Sequence, residues 1–250
     1  MHRCLQPKRL LAFDLDGTLV GHVASGAAVY DRLTARSPET ILAYITGRTF
    51  QSAEELLLQE KLPQPDILAT GLGTEIRWGR SATLDRAWRR RVGRHFSTQR
   101  VRKILSEFTG LKLQPEEALH PYKLSFFVVD EAPDVYSKHV EMRLLQKGVR
   151  AKTVYSSGRD LDIIPISAGK GAALRWMAKR LQLSPQATFA CGDSCNDLEM
   201  LLAAGMASVV GNAEPSLLRQ LPNWVYRAQG ASANGAKEGL DYWFGDQLNW

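Results

Sequence analysis

The sequence predicts an α/β protein, a parallel-sheet core interrupted by an inserted α+β cap domain. Three observations predict it. Short apolar runs alternate with helical patterns in the first and last thirds, the middle third breaks that rhythm, and acidic residues follow the runs where the strands of such a sheet would end. The 250 residues are enough for a core carrying an insertion, and 44% hydrophobic with 23% charged residues excludes disordered, collagenous and coiled-coil classes.

Residues 10–13 form a first strand, cut off by Asp14. Residues 41–45 form a second, a helix opens after Thr46, and 67–69 form a third. The βαβ rhythm resumes with apolar residues at helical spacing over 171–183, a strand at 188–191, a helix over 196–204, and short strands at 208–210 and 224–226. Such alternation gives a Rossmann-like sheet covered on both faces, with ligand chemistry at the carboxyl ends of its strands. In the middle lie a long basic helix over 86–108, a strand over 123–129, a helix over 134–147, and strands at 151–155 and 161–165. This segment is assigned as a cap over 79–157, inserted between core segments 1–78 and 158–250 through short hinges near 78–83 and 156–167.

Charge is unevenly spread. Lys and Arg number 32 against 26 Asp and Glu, yet residues 77–112 alone hold 11 basic residues against Asp85 and Glu107, a local +9 over a remainder of −3. A nucleic-acid-binding reading would use the stretch 86–103. Against it, Trp88, Val92, Phe96, Val101, Ile104, Leu105 and Phe108 give that stretch an apolar face, so its charges read as the solvated side of a cap helix. Cys4, Cys191 and Cys195 are too few for a disulfide framework, and a Cys191–Cys195 zinc pair lacks further ligands. The histidines, His22 and His120 among them, show no metal-ligand spacing. No apolar run is long enough for a secretion signal or a membrane span, so the expectation is a cytoplasmic protein that binds neither membrane nor nucleic acid.

Asp14-Leu15-Asp16-Gly17-Thr18 places two carboxylates at the end of the first strand. Like charges so close repel unless a cation or shared proton relieves them, which points to a hard divalent ion such as Mg²⁺. A second acidic group, Asp193-Ser194-Cys195-Asn196-Asp197, follows the strand at 188–191. Asn196 and Asp197 suit either helix caps or a metal shell, whereas Asp193 at a strand end is harder to explain as a cap. Thr46-Gly47-Arg48 and Lys170 stand at helix starts, where hydroxyl, backbone N–H and ammonium groups bind phosphate; the alternatives are an ordinary cap and a solvated lysine.

The order Asp-x-Asp, Thr46, Lys170, then Asp193 to Asp197 resembles the haloacid-dehalogenase superfamily of phosphohydrolases across the whole chain. Ala43-Tyr44-Ile45-Thr46-Gly47-Arg48, Gly73-Thr74-Glu75-Ile76, Tyr122-Lys123-Leu124-Ser125-Phe126, Gly158-Arg159-Asp160-Leu161-Asp162 and Gly211-Asn212-Ala213-Glu214-Pro215 are similar to the sucrose-phosphate phosphatase family. The resemblance implies that Asp14 attacks phosphorus to form an aspartyl-phosphate and that Asp16 alternates as general acid and base. It implies Mg²⁺ held by Asp14, Asp16 (through its carbonyl) and Asp193, with Asn196 and Asp197 orienting the metal shell or the lysine. Thr46, Gly47 and Lys170 would stabilise the phosphoryl oxygens, with Arg48 beside them. Glu75, Lys123, Arg159, Asp160 and Asp162 would meet sugar hydroxyls, while Trp78, Trp88, Tyr122 and Tyr155 read as core aromatics more than as sugar platforms. The implied substrate is a disaccharide phosphate, sucrose 6-phosphate, with mannosylfructose phosphate or mannosyl-3-phosphoglycerate as alternatives. A monomer is expected, with a sugar-phosphate synthase as candidate partner; a catalytically silent companion of such a synthase is disfavoured because both motif aspartates are present. Two positions depart from the family pattern. Gly17 stands where Asn or His is frequent, and Cys195 stands where Gly is usual, which predicts strain there if its φ is positive.

Overall fold

The computed structural model describes residues 6–21, 26–115, 120–129, 133–156 and 158–245, so Cys4 and His22 lie outside the described residues. The chain runs β1 (Arg9–Phe13), α1 (Ala27–Thr34), β2 (Thr40–Ile45), α2 (Phe50–Gln59), β3 (Ile67–Thr70), β4 (Glu75–Trp78), β5 (Thr83–Leu84) and α3 (Arg86–Gly93). There follow α4 (Thr98–Leu105), β6 (Leu111–Leu113), β7 (Leu124–Val128), α5 (Pro133–Gln146), β8 (Ala151–Ser156) and β9 (Asp160–Pro165). The last part holds α6 (Lys170–Arg180), β10 (Thr188–Gly192), α7 (Leu198–Ala203), β11 (Met206–Val209), α8 (Pro215–Leu218), β12 (Tyr226–Arg227) and α9 (Ser232–Phe244).

Two sheets result. The large one has the order β12-β11-β10-β1-β2-β3-β4-β5, parallel from β12 to β3 and antiparallel through β4 and β5. Its central strands are continuous apolar runs because both faces are covered. Leu10, Ala12, Ala43 and Ile45 pack on one side with Leu174 and Met177 of α6, while Leu11, Phe13, Leu42 and Tyr44 meet α1, α2 and α9 through Val29, Leu57 and Leu240. The strand order reverses at β1, which lies between β10 and β2, so the loops after β1 and β10 emerge side by side. The small sheet, β6-β7-β9-β8, is antiparallel. Leu124 and Phe126 of β7 and Leu161 and Ile163 of β9 pack on α4 and α5 through Val101, Leu105, Val140 and Leu144. With a side-chain period of two, Asp160 and Asp162 fall on the other face.

Several expectations change. The single helix expected over 86–108 is two, broken between Gly93 and Ser97 where His95 takes a left-handed φ of 69°. Asp85 caps α3 by accepting from the Trp88 N–H, and Ser97 restarts the chain by accepting from the Arg100 N–H. Residues 83–92, expected within the cap, pack with the large sheet: β5 extends it, and Trp88 and Val92 join its core. Conversely β9, read with the middle segment but beyond the cap boundary at 157, pairs within the small sheet. The chain therefore crosses between sheets at 93–96 and again at 163–168. The helix after β2 is capped by Thr49, not Thr46, and the helix expected over 196–204 is a 3-10 turn, Cys195–Asp197, leading into α7. The helices α1 and α9 and the strands β4, β5 and β6 had no counterpart in the sequence reading.

Candidate active site

The floor of the site is built where β1 and β10 end together. Phe13 is in register with Cys191, and the Asp14 N–H donates to the Cys191 carbonyl at 3.0 Å, which sets Asp14 beside Asp193. Asp14, Asp193 and Asp197 bring carboxylate oxygens within 4.8 Å of one another. Lys170 enters from the start of α6, its Nζ 2.9 Å from Asp14 and 2.7 Å from Asp197. α6 comes this close to α7 because position 171 is glycine: a Cβ there would stand 2.3 Å from the Glu199 carbonyl oxygen.

The charges do not balance. Three carboxylates face one ammonium, and the consequences are visible in their acidities. Burial raises the Asp14 carboxyl well above its ordinary range, and the charges of Asp197 and Asp193 raise it further against the pull of Lys170. Burial likewise pushes Asp193 up to about 7, helped by Asp197 and opposed by the Thr18 hydroxyl, which donates to Asp193 Oδ1 at 2.8 Å. Burial pulls the Lys170 ammonium down, but the Asp14 and Asp197 charges outweigh it and raise it overall. Asp197 has both oxygens committed, one to Lys170 and the other to the Asp193 and Ser194 N–H groups. Asp14 and Asp193 are thus the donors left for a hard divalent cation, and the uncompensated negative charge fits one.

The loop after β1 is held from behind. Gly17, at φ 79°, lies so close to Asp193 that a Cβ would sit 2.3 Å from its Oδ2. The Gly17 carbonyl accepts from Asn212 Nδ2 at 2.9 Å and from the Ser232 hydroxyl at 3.0 Å. Neither contact was anticipated, although Asn212 lies in a quoted motif.

Asp16 behaves differently from the sequence expectation. Its carboxylate is half-exposed and held by the Arg48 guanidinium at 2.7 and 2.8 Å, so it does not join the acidic cluster. That hydrogen bond to Asp16 raises the Arg48 guanidinium above its usual value. Thr46 is buried at the end of β2, its hydroxyl accepting from the Arg48 N–H.

The small sheet forms the roof. Lys123 places Nζ 2.9 Å from Asp162 and 2.6 Å from the Ser125 hydroxyl, and Gln114 Nε2 donates to Asp160 at 3.0 Å. Burial, then the charge of Asp162, raises Asp160 above the ordinary carboxyl value. Floor and roof enclose a cavity of about 500 Å³ lined by Asp14, Asp16, Gly47, Arg48, Gln114, Lys123, Asp160, Asp162, Lys170, Asp193 and Asn196. Asn196 Oδ1 is buried there with no hydrogen-bond partner among the described residues. Through Ser156, Lys170 and Glu214 the cavity joins a wider cleft of about 750 Å³.

Two expected sugar partners stand outside the cavity lining. Glu75 is buried against Arg77 at 2.7 Å and near His120, and Arg159 lies exposed over the Phe127 ring. The aromatics Trp78, Trp88 and Tyr122 are likewise absent from the lining; Trp88 is a core residue donating to the Gly73 carbonyl. Cys195 has no positive φ, so the strain expected of it is not there. Its N–H donates to Glu214 and its thiol to Ser216 Oγ. His120 is a buried residue beside Thr74, and burial lowers its imidazole to about 4.

The family model for sucrose-6F-phosphate phosphohydrolase matches residues 7–244. The chain belongs to that family. Its members are phosphoric monoester hydrolases of the haloacid-dehalogenase superfamily. Mannosylfructose-phosphate phosphatase of Agrobacterium fabrum is 33% identical over 96% of this chain and 98% of its own. Probable sucrose-phosphatase 2 of Arabidopsis thaliana is 35% identical over 88% of this chain, which spans only 54% of that relative. Among solved structures, the sucrose-phosphatase of Synechocystis, in complex with sucrose and phosphate, superposes with a TM-score of 0.87 at 31% identity, covering 94% of this chain and 98% of its own. Among the described residues, no helix is long and apolar enough to cross a membrane.

Proposed function

We propose that the protein is a Mg²⁺-dependent phosphatase that hydrolyses a disaccharide phosphate, sucrose 6-phosphate, to sucrose and phosphate. The observation that carries this reading is the contrast across the cavity, an anionic floor with three carboxylates to one lysine against a roof in which Asp162 pairs with Lys123, and Asp160 with the Gln114 amide and Arg159. The floor suits a cation and a phosphoryl group. The roof offers charge-assisted hydrogen bonds to a neutral, hydroxyl-rich ligand, and about 500 Å³ suits a ligand of that size.

In this reading Asp14 is the nucleophile: its carboxylate oxygen attacks phosphorus, the bond to the sugar oxygen breaks, and an aspartyl-phosphate forms. Asp16 gives a proton to the departing sugar oxygen and takes one from the water that cleaves the aspartyl-phosphate. Arg48 keeps the Asp16 carboxylate at the mouth of the cavity until substrate displaces it. Lys170 neutralises Asp14 in the resting site, while Thr46, with its hydroxyl proton available to donate, and the Gly47 N–H stand ready for phosphoryl oxygens. Asp14, the Asp16 carbonyl and Asp193 would hold Mg²⁺, with Asp197 and Asn196 supporting them. Bound there, the ion supplies the positive charge that lets an anionic phosphoryl group approach an anionic carboxylate. Lys123, Asp160 and Asp162 are the sugar-facing groups, to which Gln114 and Ser125 are added, and Glu75 and Arg159 reach a hydroxyl only after a rearrangement of their present pairings. The protein is read as a cytoplasmic monomer whose substrate comes from a sugar-phosphate synthase.

A second reading, mannosylfructose phosphate as substrate, is favoured by the near-complete mutual coverage with the Agrobacterium enzyme. Phosphate release from both disaccharide phosphates and from monosaccharide phosphates, with Mg²⁺ and with chelator, decides between them. The expected result is the highest kcat/KM with sucrose 6-phosphate and no turnover under chelator; a higher value with mannosylfructose phosphate transfers the assignment, and chelator-resistant turnover overturns the metal dependence.

A further inference from the structure

Both crossings between the sheets border one groove that the phosphatase chemistry does not use. It is an open groove of about 720 Å³, lined by Arg90, Arg91, Arg94 and His95 around the end of α3, by Arg150 just before β8, and by Pro165, Ile166 and Ser167 at the end of β9. No carboxylate lines it, and none of these four arginines forms an ion pair among the described residues, so four positive charges face one groove without a counter-charge in its wall. Arg94 follows the last residue of α3 with an extended backbone, which carries its guanidinium to the groove from outside the helix. Cations at the end of a helix gain something from its dipole, which accounts for Arg90 and Arg91. It does not account for Arg150, which arrives from a separate part of the chain to face them.

We infer that this groove is a binding site for a compact polyanion, a ligand carrying two or more phosphoryl groups. Four guanidinium groups offer forked donors matched to phosphoryl oxygens, and Ile166, half-exposed in the wall, gives an apolar contact for whatever bears them. About 720 Å³ is room for a small ligand bearing several phosphoryl groups. Position adds the consequence. A ligand held by Arg94 and Arg150 together ties the 93–96 crossing to the edge of the small sheet, fixing how the roof stands over the floor.

The test is calorimetric titration of inorganic tripolyphosphate in metal-free buffer into the wild-type protein and into Arg94→Gln/Arg150→Gln. One ligand per chain is expected, with Kd at least ten-fold weaker in the double variant. Arg94→Lys/Arg150→Lys, which keeps the charge, is expected to retain most of the affinity, separating loss of charge from loss of fold. The variants' Mg²⁺-dependent turnover without polyphosphate is expected to match wild type. Equal affinity in wild type and the Gln variant overturns the site, because the anion then binds elsewhere, the active site included. Tighter binding of a 20-nucleotide single-stranded DNA, lost in the same variant, overturns the compact ligand in favour of nucleic acid.

Discussion

Two buried lysines face each other across the cavity, and their surroundings differ in one respect. Lys170, in the floor, serves two carboxylates with a third close by; Lys123, in the roof, serves Asp162 and the hydroxyl of Ser125. The floor is left with surplus negative charge, and burial together with that surplus raises Asp14 and Asp193. In the roof Lys123 pairs with Asp162, and Asp160 is met by the Gln114 amide and, at 3.9 Å, by the Arg159 guanidinium. A buried surplus destabilises the empty fold and is relieved by a cation or a proton, whereas a matched pair is satisfied until a ligand replaces its hydrogen bonds. Chemistry belongs to the first region and recognition to the second.

The largest effect that would break this division comes from the floor. Asp14→Asn should lower turnover by about 10⁴-fold or more with every phosphate ester, measured by phosphate release; substantial residual rate removes the nucleophile assignment. Gly17→Ala comes next, since its Cβ meets Asp193 and its φ is positive; a loss of about 10²-fold in kcat is expected from the displaced carboxylate, with the fold retained by circular dichroism. In the roof, Lys123→Met should raise KM for sucrose 6-phosphate by about 10–100-fold while p-nitrophenyl phosphate turnover stays near wild type. Equal losses on both substrates would place Lys123 in the chemistry.

Smaller effects sharpen the contrast. Because Asp193 is raised from 3.8 to about 7, the metal-free fold loses stability as pH rises from about 4 to about 7, with the loss levelling off once that carboxyl has ionised. The gain in Tm on adding Mg²⁺ should grow over the same interval, since the cation needs the ionised form; a pH-independent gain contradicts the surplus-charge account. At the rim, Cys195→Gly should cost about 0.5–1 kcal/mol of stability, because this backbone is not left-handed and glycine only adds freedom to the unfolded chain, with kcat unchanged.

The floor was legible in the sequence because strand ends are: an apolar run stopped by an acidic residue fixes both the strand and the carboxylate at its edge, as with Asp14 and Asp193. Asp16 lines the same cavity as Asp14, as its strand-end position suggested, but its loop leaves the strand, and only the position of Arg48 shows where its carboxylate goes. Asp160 and Asp162 were found, while Ser125 and Gln114 were passed over for lack of charge, although the alternation Lys123, Ser125 puts the serine beside the lysine. The break between α3 and α4 was written in Gly93 and Ser97, a stop and a cap, and was overridden by apolar spacing running across both. The bonds from Asn212 and Ser232 to Gly17 join positions far apart in sequence, which no local pattern encodes.

β1, the strand that presents Asp14, is flanked by β2 on one side and β10 on the other, with Leu10 opposite Thr188. During synthesis at about 5–20 residues per second, that second edge waits roughly 10–35 s for its partner. Throughout the wait an apolar strand edge is available to any neighbouring chain, a hazard for a nascent polypeptide. The same ordering means that no partly made chain has the Asp14–Asp193 pair, so the site comes into being only when the two halves of the sheet close around β1.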